Sequence, residues 1–325
     1  MLLALILTVS LISTHATTSN NRVVLGVDHF VNNKYKELNK SSRVGFIANP
    51  TSLLSGTLDH IIDVMHNDIV DKKLEIDELI VFGPEHGFRG AAEAGHGGKS
   101  KWLDPQTNLT VYNTYGLNLS ALVQVIQETK IDTIIFDIQD IGARFYTFIW
   151  TMYDMMCAAS SAVMLSSFST TINFIVLDRP NPLGGKKIHG PMLETKYFSG
   201  VGKVNIPVQH GMTVGELALY FNSNAIQQCL PPSLLVSSSE PAIDNDDNDE
   251  NVLNNIINVK VVKMTGWDST KTFPIDIPFV LPSPNMPTLQ TVFTYPGLCF
   301  LEGTTLSEGR GVSINCYISH RKYSF

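Results

Sequence analysis

The chain has 325 residues, 44% hydrophobic and 16% charged, with a net charge of −7, which excludes both a disulfide-stapled miniprotein and a wholly disordered chain. Six of the negatives, Glu240, Asp244, Asp246, Asp247, Asp249 and Glu250, fall together in 240–250. The remainder is close to neutral and has no basic stripe to hold a phosphate backbone, so a nucleic-acid partner is not expected.

Residues 2–12 (LLALILTVSLI) form an apolar run that gives way to small polar residues, with Thr14-His15-Ala16 as a cleavage site. The run has signal-peptide length and falls short of the roughly 20 apolar residues that a spanning helix needs. A cleaved signal peptide over 1–16 is therefore expected, with no membrane span and a secreted, lysosomal or phagosomal location. An uncleaved buried segment is the alternative, because no Lys or Arg precedes the run.

Short runs rich in Val, Ile and Phe follow at 23–28, 43–49, 78–85, 133–140, 173–178 and 258–264, the pattern of strands buried on both faces. Between them, 57–69 and 117–130 carry apolar residues at helical spacing, and 144–165 is apolar nearly all round, as a central buried helix is. Such alternation predicts an α/β, Rossmann-like fold: a mostly parallel sheet with helices on both faces. The runs end in Asp28, Asn49, Glu85-His86, Asp137 and Asp178-Arg179, and ligands of open parallel sheets lie beyond the carboxyl ends of the strands. Past residue 180 Gly and Pro become frequent and periodicity fades. The expected organisation is a domain over 17–185 and a smaller remainder over 186–325, with a solvated Asn/Asp-rich insertion at 237–258.

Cys157 sits in the apolar helix pattern and reads as a core thiol. Cys229, Cys299 and Cys316 are widely spaced, with no C-x-x-C, so neither a zinc ribbon nor a redox motif is supported.

Three segments carry candidate chemistry. Gly83-Pro84-Glu85-His86-Gly87-Phe88-Arg89-Gly90 brings an acid, a titratable imidazole and a cation into a glycine-rich turn directly after a strand. A plain turn with exposed charges is the competing reading. Asp137-Ile138-Gln139-Asp140-Ile141-Gly142-Ala143-Arg144-Phe145-Tyr146 ends another strand with groups suited to sugar hydroxyls or a carboxylate; an Asp140–Arg144 pair steadying a helix start competes with that. In Gln209-His210-Gly211-Met212-Thr213-Val214-Gly215-Glu216, the Thr-x-x-Glu spacing is a capping box opening a helix at 214–222, which makes Glu216 structural and leaves His210 a site candidate. Gly98-Lys99-Ser100 lacks the upstream glycine of a phosphate loop, Glu93 standing in its place. Glu85, His86 and His96 match no metal-site spacing, so no metal is expected.

Six stretches, GPEHGFRGAAEAG (83–95), FDIQDIGARFYTFIWTM (136–152), VLDRPNPLGG (176–185), VNIPVQHGMTVGELALYFN (204–222), MTGWD (264–268) and LPSPNMPTLQTVFTYPGLCFLEGTTLSEGRG (281–311), resemble, in order, the bacterial exo-β-N-acetylmuramidase (NamZ-like) family. The resemblance implies a Rossmann-like domain with a C-terminal auxiliary domain and a cleft between them. It implies hydrolytic release of N-acetylmuramic acid from the non-reducing end of peptidoglycan fragments, with muropeptides or muramic-acid-containing disaccharides as partners and no cofactor. Glycoside hydrolysis needs a carboxylic acid at the leaving oxygen, plus a carboxylate or the substrate's own acetamido group at the anomeric carbon. On that resemblance Glu85 is the acid and Asp140 or Glu308 the second group. His86, Arg89, Asp137, Gln139 and Tyr146 join the binding set, and Arg144, His210, Asn285 and Arg310 hold the sugar's hydroxyls and lactyl carboxylate. Family members continue well past Ser307-Glu308-Gly309-Arg310-Gly311, whereas this chain closes on VSINCYISHRKYSF, so an incomplete auxiliary domain is expected. A non-catalytic muropeptide-binding protein and a metal-dependent hydrolase of another bond are the competing functions.

Overall fold

The computed structural model describes residues 22–90, 99–165, 171–232, 256–271, 277–307 and 320–321. The expected signal peptide, His96, Glu308, Arg310 and the acidic part of the insertion lie outside them.

The first apolar run departs from expectation. Only Val24 makes a strand-like bridge, to Thr265, and the helix α1 (Gly26–Asn32) starts two residues later. Asp28 decides this, because its Oδ2 accepts the Leu25 amide at 3.0 Å while its Oδ1 accepts the Ser55 amide at 2.9 Å. A carboxylate at that position caps a helix start. Gly26 is required there, since a Cβ would lie 2.3 Å from the Asp178 nitrogen.

The other five runs are strands: β1 (Arg43–Ala48), β2 (Glu78–Gly83), β5 (Thr133–Asp137), β6 (Asn173–Leu177) and β9 (Asn258–Val262). Two short strands that the sequence does not announce, β3 (Lys101–Leu103) and β4 (Thr110–Asn113), extend one edge. The seven-stranded order is β3-β4-β2-β1-β5-β6-β9, parallel throughout except for the β3–β4 pair. The parallel strands taken in chain order therefore run 3-2-1-4-5-6, the doubly wound dinucleotide-fold order, with its switch point between β1 and β5.

Register sorts the side chains onto two faces. The rung Val111–Val81–Phe46–Ile135–Ile175 crosses five strands and packs under α1 and α2 (Ile61–Val70). The next rung, Phe82–Ile47–Phe136–Val176, faces α3 (Leu119–Thr129), α4 (Phe148–Leu165) and α5 (Val214–Asn224). Burying each such phenylalanine contributes about 1.5–3 kcal/mol. α4 is apolar enough and long enough to cross a membrane, but 72% of it is buried in this core. The capping box forms as read: the Thr213 hydroxyl accepts the Glu216 amide at 3.2 Å and Glu216 accepts the Thr213 amide at 2.9 Å.

Cys157 is not a free core thiol. It is disulfide-bonded to Cys229, joining α4 to the short helix Ile226–Cys229 across 72 residues of chain. Closing a loop of that length restricts the unfolded chain by about 4 kcal/mol in the chain-entropy limit. Urea unfolding with and without reductant is expected to show a stability loss approaching that size.

Candidate active site

The turn after β2 is built to present Glu85. The Gly87 amide donates to the Pro84 carbonyl at 2.9 Å, and both His86 and Gly87 take left-handed backbone, with φ of 67° and 77°. A left-handed non-glycine residue costs on the order of 1–3 kcal/mol and persists where surrounding structure enforces it. α2 supplies much of that enforcement. Arg89 makes a two-pronged pair with Asp63 of α2 at 3.0 and 2.7 Å and another with Asp104 at 3.2 and 2.7 Å, its guanidinium lying 4.2 Å above the Phe88 ring. His60, the N-cap of α2, packs edge-on to Phe88 at 5.1 Å. Its Nδ1 accepts the Ile62 amide at 3.3 Å, which leaves Nε2 to donate to the Asn49 carbonyl at 3.0 Å.

Burial pushes the His60 imidazole from 6.5 down to about 4. Between those values the unfolded chain binds a proton that the folded chain does not, so stability present at neutral pH is lost on acidification from 6.5 toward 4, by about 3 kcal/mol. Urea midpoints at pH 7 and 4.5 are expected to show the loss, and His60→Asn, which keeps a capping acceptor without the titration, is expected to reduce it.

Glu85 and His86 line a cavity of about 520 Å³. The Thr147 hydroxyl donates to Glu85 Oε2 at 2.7 Å, and Tyr115 lines the same cavity beside that carboxylate. Burial, together with the Glu85 charge, raises the Tyr115 pKa. A hydroxyl can donate or accept, so Thr147 orients the Glu85 side chain towards the cavity wall.

The far wall comes from 283–303: the Ser283–Met286 turn, the helix Leu289–Leu298 and the turn Cys299–Gly303. Aromatic rings join the two sides, Phe145 meeting Tyr295 at 5.4 Å and Phe300 at 5.7 Å, and Tyr146 meeting Tyr295 at 6.0 Å, all edge to face. The Tyr146 hydroxyl is buried beside Ser283, and burial holds the phenol far above its ordinary pKa. Ring faces and edges of this kind suit the apolar face of a sugar, and Asn285 and Glu302 add polar groups to the same lining.

Of the residues expected from sequence, Glu85, His86, Tyr146 and Asn285 share this cavity. The other candidates among the described residues are engaged elsewhere. Arg89 is taken up by its two carboxylates. Asp137, fully buried, is clasped by Arg179 at 2.5 and 2.8 Å; burial raises its pKa while the guanidinium pulls the other way. Gln139 donates to the Asp140 and Pro180 carbonyls at 2.6 and 2.8 Å. Arg144 makes no pair with Asp140. Its Nη1 donates to the Pro191 and Ile206 carbonyls at 2.9 and 2.6 Å, which ties down the β7 (His189–Met192) and β8 (Pro207–Gln209) ribbon. Asp140 Oδ2 accepts from the Gly142 amide at 2.7 Å and from His210 Nε2 at 3.1 Å, while Oδ1 has no protein partner among the described residues. His210 Nδ1 accepts the Met212 amide at 3.2 Å, fixing the proton on Nε2. Gly142 turns the chain at φ 82°, where a Cβ would meet Asn181 Oδ1 at 2.3 Å.

The switch point itself is filled by these polar groups: the Asp137–Arg179 pair, Ser52 donating to the Asp137 carbonyl, and Thr51 accepting the Gln139 amide. The open cavity lies instead over the ends of β2 and β4. Tyr115 and Thr147 were not expected. Thr147 directly follows a segment already singled out, whereas Tyr115 follows a four-residue strand with no apolar run to mark it.

Fold and site together define a doubly wound α/β protein with a carboxylate set in a sugar-sized cleft at the strand ends. Residues 44–290 match the family model described as exo-β-N-acetylmuramidase NamZ, N-terminal, and the chain belongs to that family. It is 39% identical over 302 residues to the peptidoglycan β-N-acetylmuramidase NamZ of Bacillus subtilis (strain 168), covering 93% of this chain and 62% of that protein. Two solved DUF1343 family proteins of Bacteroides fragilis resemble it in structure. One has a TM-score of 0.70 and 32% identity, with 93% of this chain and 66% of the other covered. The second has a TM-score of 0.65 and 28% identity, with 92% and 67% covered. The chain thus spans a little under two thirds of the length of the Bacillus subtilis relative.

Proposed function

We propose that the protein is a glycoside hydrolase that releases N-acetylmuramic acid from the non-reducing end of peptidoglycan fragments. The reading is carried by Glu85, a carboxylate held by the Thr147 hydroxyl in the wall of an aromatic cavity, within a chain of this family. Glu85 protonates the glycosidic oxygen as the bond to the anomeric carbon breaks, and water completes the hydrolysis. Positive charge developing at that carbon is met by a carboxylate, with Glu302 in the cavity lining and Asp140 and Glu308 as candidates, or by the substrate's acetamido oxygen. His86, Asn285 and Tyr146 hold the sugar. Arg89, Asp137, Gln139, Arg144 and His210 position the walls from behind, and Arg310 remains a candidate ligand of the lactyl carboxylate.

We further propose that the chain enters the secretory route by way of the apolar run at 2–12 and works in an extracellular or lysosomal setting. The disulfide between Cys157 and Cys229 supports an oxidising compartment.

Incubating the purified chain with a MurNAc–GlcNAc disaccharide and following the products by mass spectrometry tests the activity. Free N-acetylmuramic acid is expected, and intact disaccharide after prolonged incubation, with binding retained, would replace the hydrolase reading with a non-catalytic muropeptide-binding one.

A further inference from the structure

Three asparagines stand in the Asn-x-Ser/Thr pattern: Asn39-Lys40-Ser41, Asn108-Leu109-Thr110 and Asn118-Leu119-Ser120. That pattern is the acceptor of N-linked sugar in chains that pass through the secretory route, and by itself it also recurs by chance. What separates an acceptor from a coincidence is the folded position of the side-chain nitrogen. A bulky, hydrated oligosaccharide must hang from that atom, so the atom must face water and have no bond to lose.

The fold meets this condition at all three places. Asn39 sits in the turn before β1, where its backbone amide donates to Ser42 Oγ and its carbonyl accepts the Ser42 amide, both at 3.0 Å. Asn108 closes the turn that joins β3 to β4, with its backbone at φ 58° and its amide donating to the Asp104 carbonyl at 2.8 Å. Asn118 is the N-cap of α3, and it is Oδ1 that accepts the Ala121 amide, at 2.9 Å. A glycosylated asparagine keeps that oxygen, so the cap and a glycan are compatible. All three residues are exposed, and among the described residues none of their Nδ2 groups donates a hydrogen bond. Asn181 and Asn258, outside the pattern, spend theirs on the Met212 carbonyl at 2.9 Å and on Asn173 at 2.8 Å. Asn49-Pro50-Thr51 gives the opposite case, with proline in the middle position and Asn49 only 1% exposed.

Position fits as well. Asn39 and Asn108 precede β1 and β4, at the amino ends of parallel strands, whereas the Glu85 turn follows β2. Glycans there stand at the pole away from the cavity. Asn118 follows β4 and lines a chamber of about 360 Å³ that shares Tyr115, Thr147 and Val201 with the cavity, so a glycan there borders the cleft.

We infer that Asn39, Asn108 and Asn118 carry N-linked oligosaccharides. In each transfer Nδ2 bonds to the anomeric carbon of a polyprenyl-diphosphate-linked oligosaccharide. The bond from that carbon to the phosphate oxygen breaks, the diphosphate leaves with the electron pair, and Nδ2 gives up one proton to a base of the membrane transferase. The inference rests on the proposed secretory route, which the Cys157–Cys229 disulfide supports from separate chemistry.

The test expresses the full chain in a eukaryotic secretory host in two forms, one with its own residues 1–16 and one with these replaced by a cleavable signal peptide of the host. Signal-cleaved chain is collected whether secreted or retained. Digestion with peptide N-glycosidase in heavy-oxygen water is expected to lower its mass by three glycans and to leave labelled aspartate at positions 39, 108 and 118, with Asn49 unlabelled. Ser41→Ala, Thr110→Val and Ser120→Ala are each expected to remove one glycan. They keep every asparagine, so the α3 cap survives, which Asn118→Gln would not ensure. Chain from the replaced signal whose mass digestion leaves unchanged overturns the inference, and an unlabelled position withdraws that site. Glycans present with the replaced signal and absent with residues 1–16 remove the signal-peptide reading and leave the acceptor sites standing.

Discussion

Glu85→Gln is expected to lower turnover of the MurNAc–GlcNAc disaccharide by about 10²- to 10⁴-fold, the usual contribution of a positioned general acid. The substitution preserves shape, and Thr147 remains hydrogen-bonded to the amide because a hydroxyl serves as donor or acceptor. The thermal midpoint is accordingly expected to move by no more than about 4 °C. What the amide cannot do is deliver a proton. A leaving group that departs as a stable anion does not need one, so the deficit is expected to shrink markedly on a dinitrophenyl N-acetylmuramide. Equal deficits on both substrates would make Glu85 a binding group and move the acid elsewhere in the cavity.

The second large effect concerns folding. Arg179→Met removes the partner of Asp137, which has no exposure of its own, and breaking a buried pair from one side costs about 3–5 kcal/mol. Asp28 adds to the difficulty, because its charge already opposes ionisation of Asp137. In the variant Asp137 holds its proton in the folded state to a higher pH than in the unfolded state. The folded chain then binds the extra proton, and stability falls as pH rises above the unfolded value of about 4. Urea unfolding of Arg179→Met is expected to show its greatest deficit at neutral pH and partial recovery on acidification, opposite in sign to the His60 contribution. Adding Asp137→Asn to the variant is expected to remove that slope, and a variant as stable as the parent at pH 7 would show the pair to be dispensable.

Five of the six expected strands were legible because strands covered on both faces must be apolar without interruption, and β1, β2, β5, β6 and β9 are. The run at 23–28 had the same composition, but Asp28 turned its hydrogen bonds inward and made a helix of it. β4 was invisible because a four-residue strand next to the sheet's edge, flanked outside only by the three-residue β3, carries no such run, and Tyr115 was lost with it. Polar residues after strands proved the harder problem. A guanidinium that meets a ligand and one that satisfies two backbone carbonyls, as Arg144 does, look alike until the carbonyls are placed. Arg89 is similar, its partners Asp63 and Asp104 lying far from it along the chain. The aromatic far wall had a sequence but no pattern, since irregular backbone leaves no period by which Tyr295 and Phe300 can be assigned to the rings they cover.

The acid sits in the turn after the second parallel strand, while the wall opposite it, 283–303, follows the last strand of the sheet. During synthesis the scaffold bearing Glu85 therefore leaves the ribosome long before its covering segment does. Domains assemble progressively as they emerge, so a nascent chain holds an open, unscreened trough until that segment has also emerged. Once in place the segment is held by more than its chain connection, since Met286 and Val292 are buried in the core that α4 and α5 share.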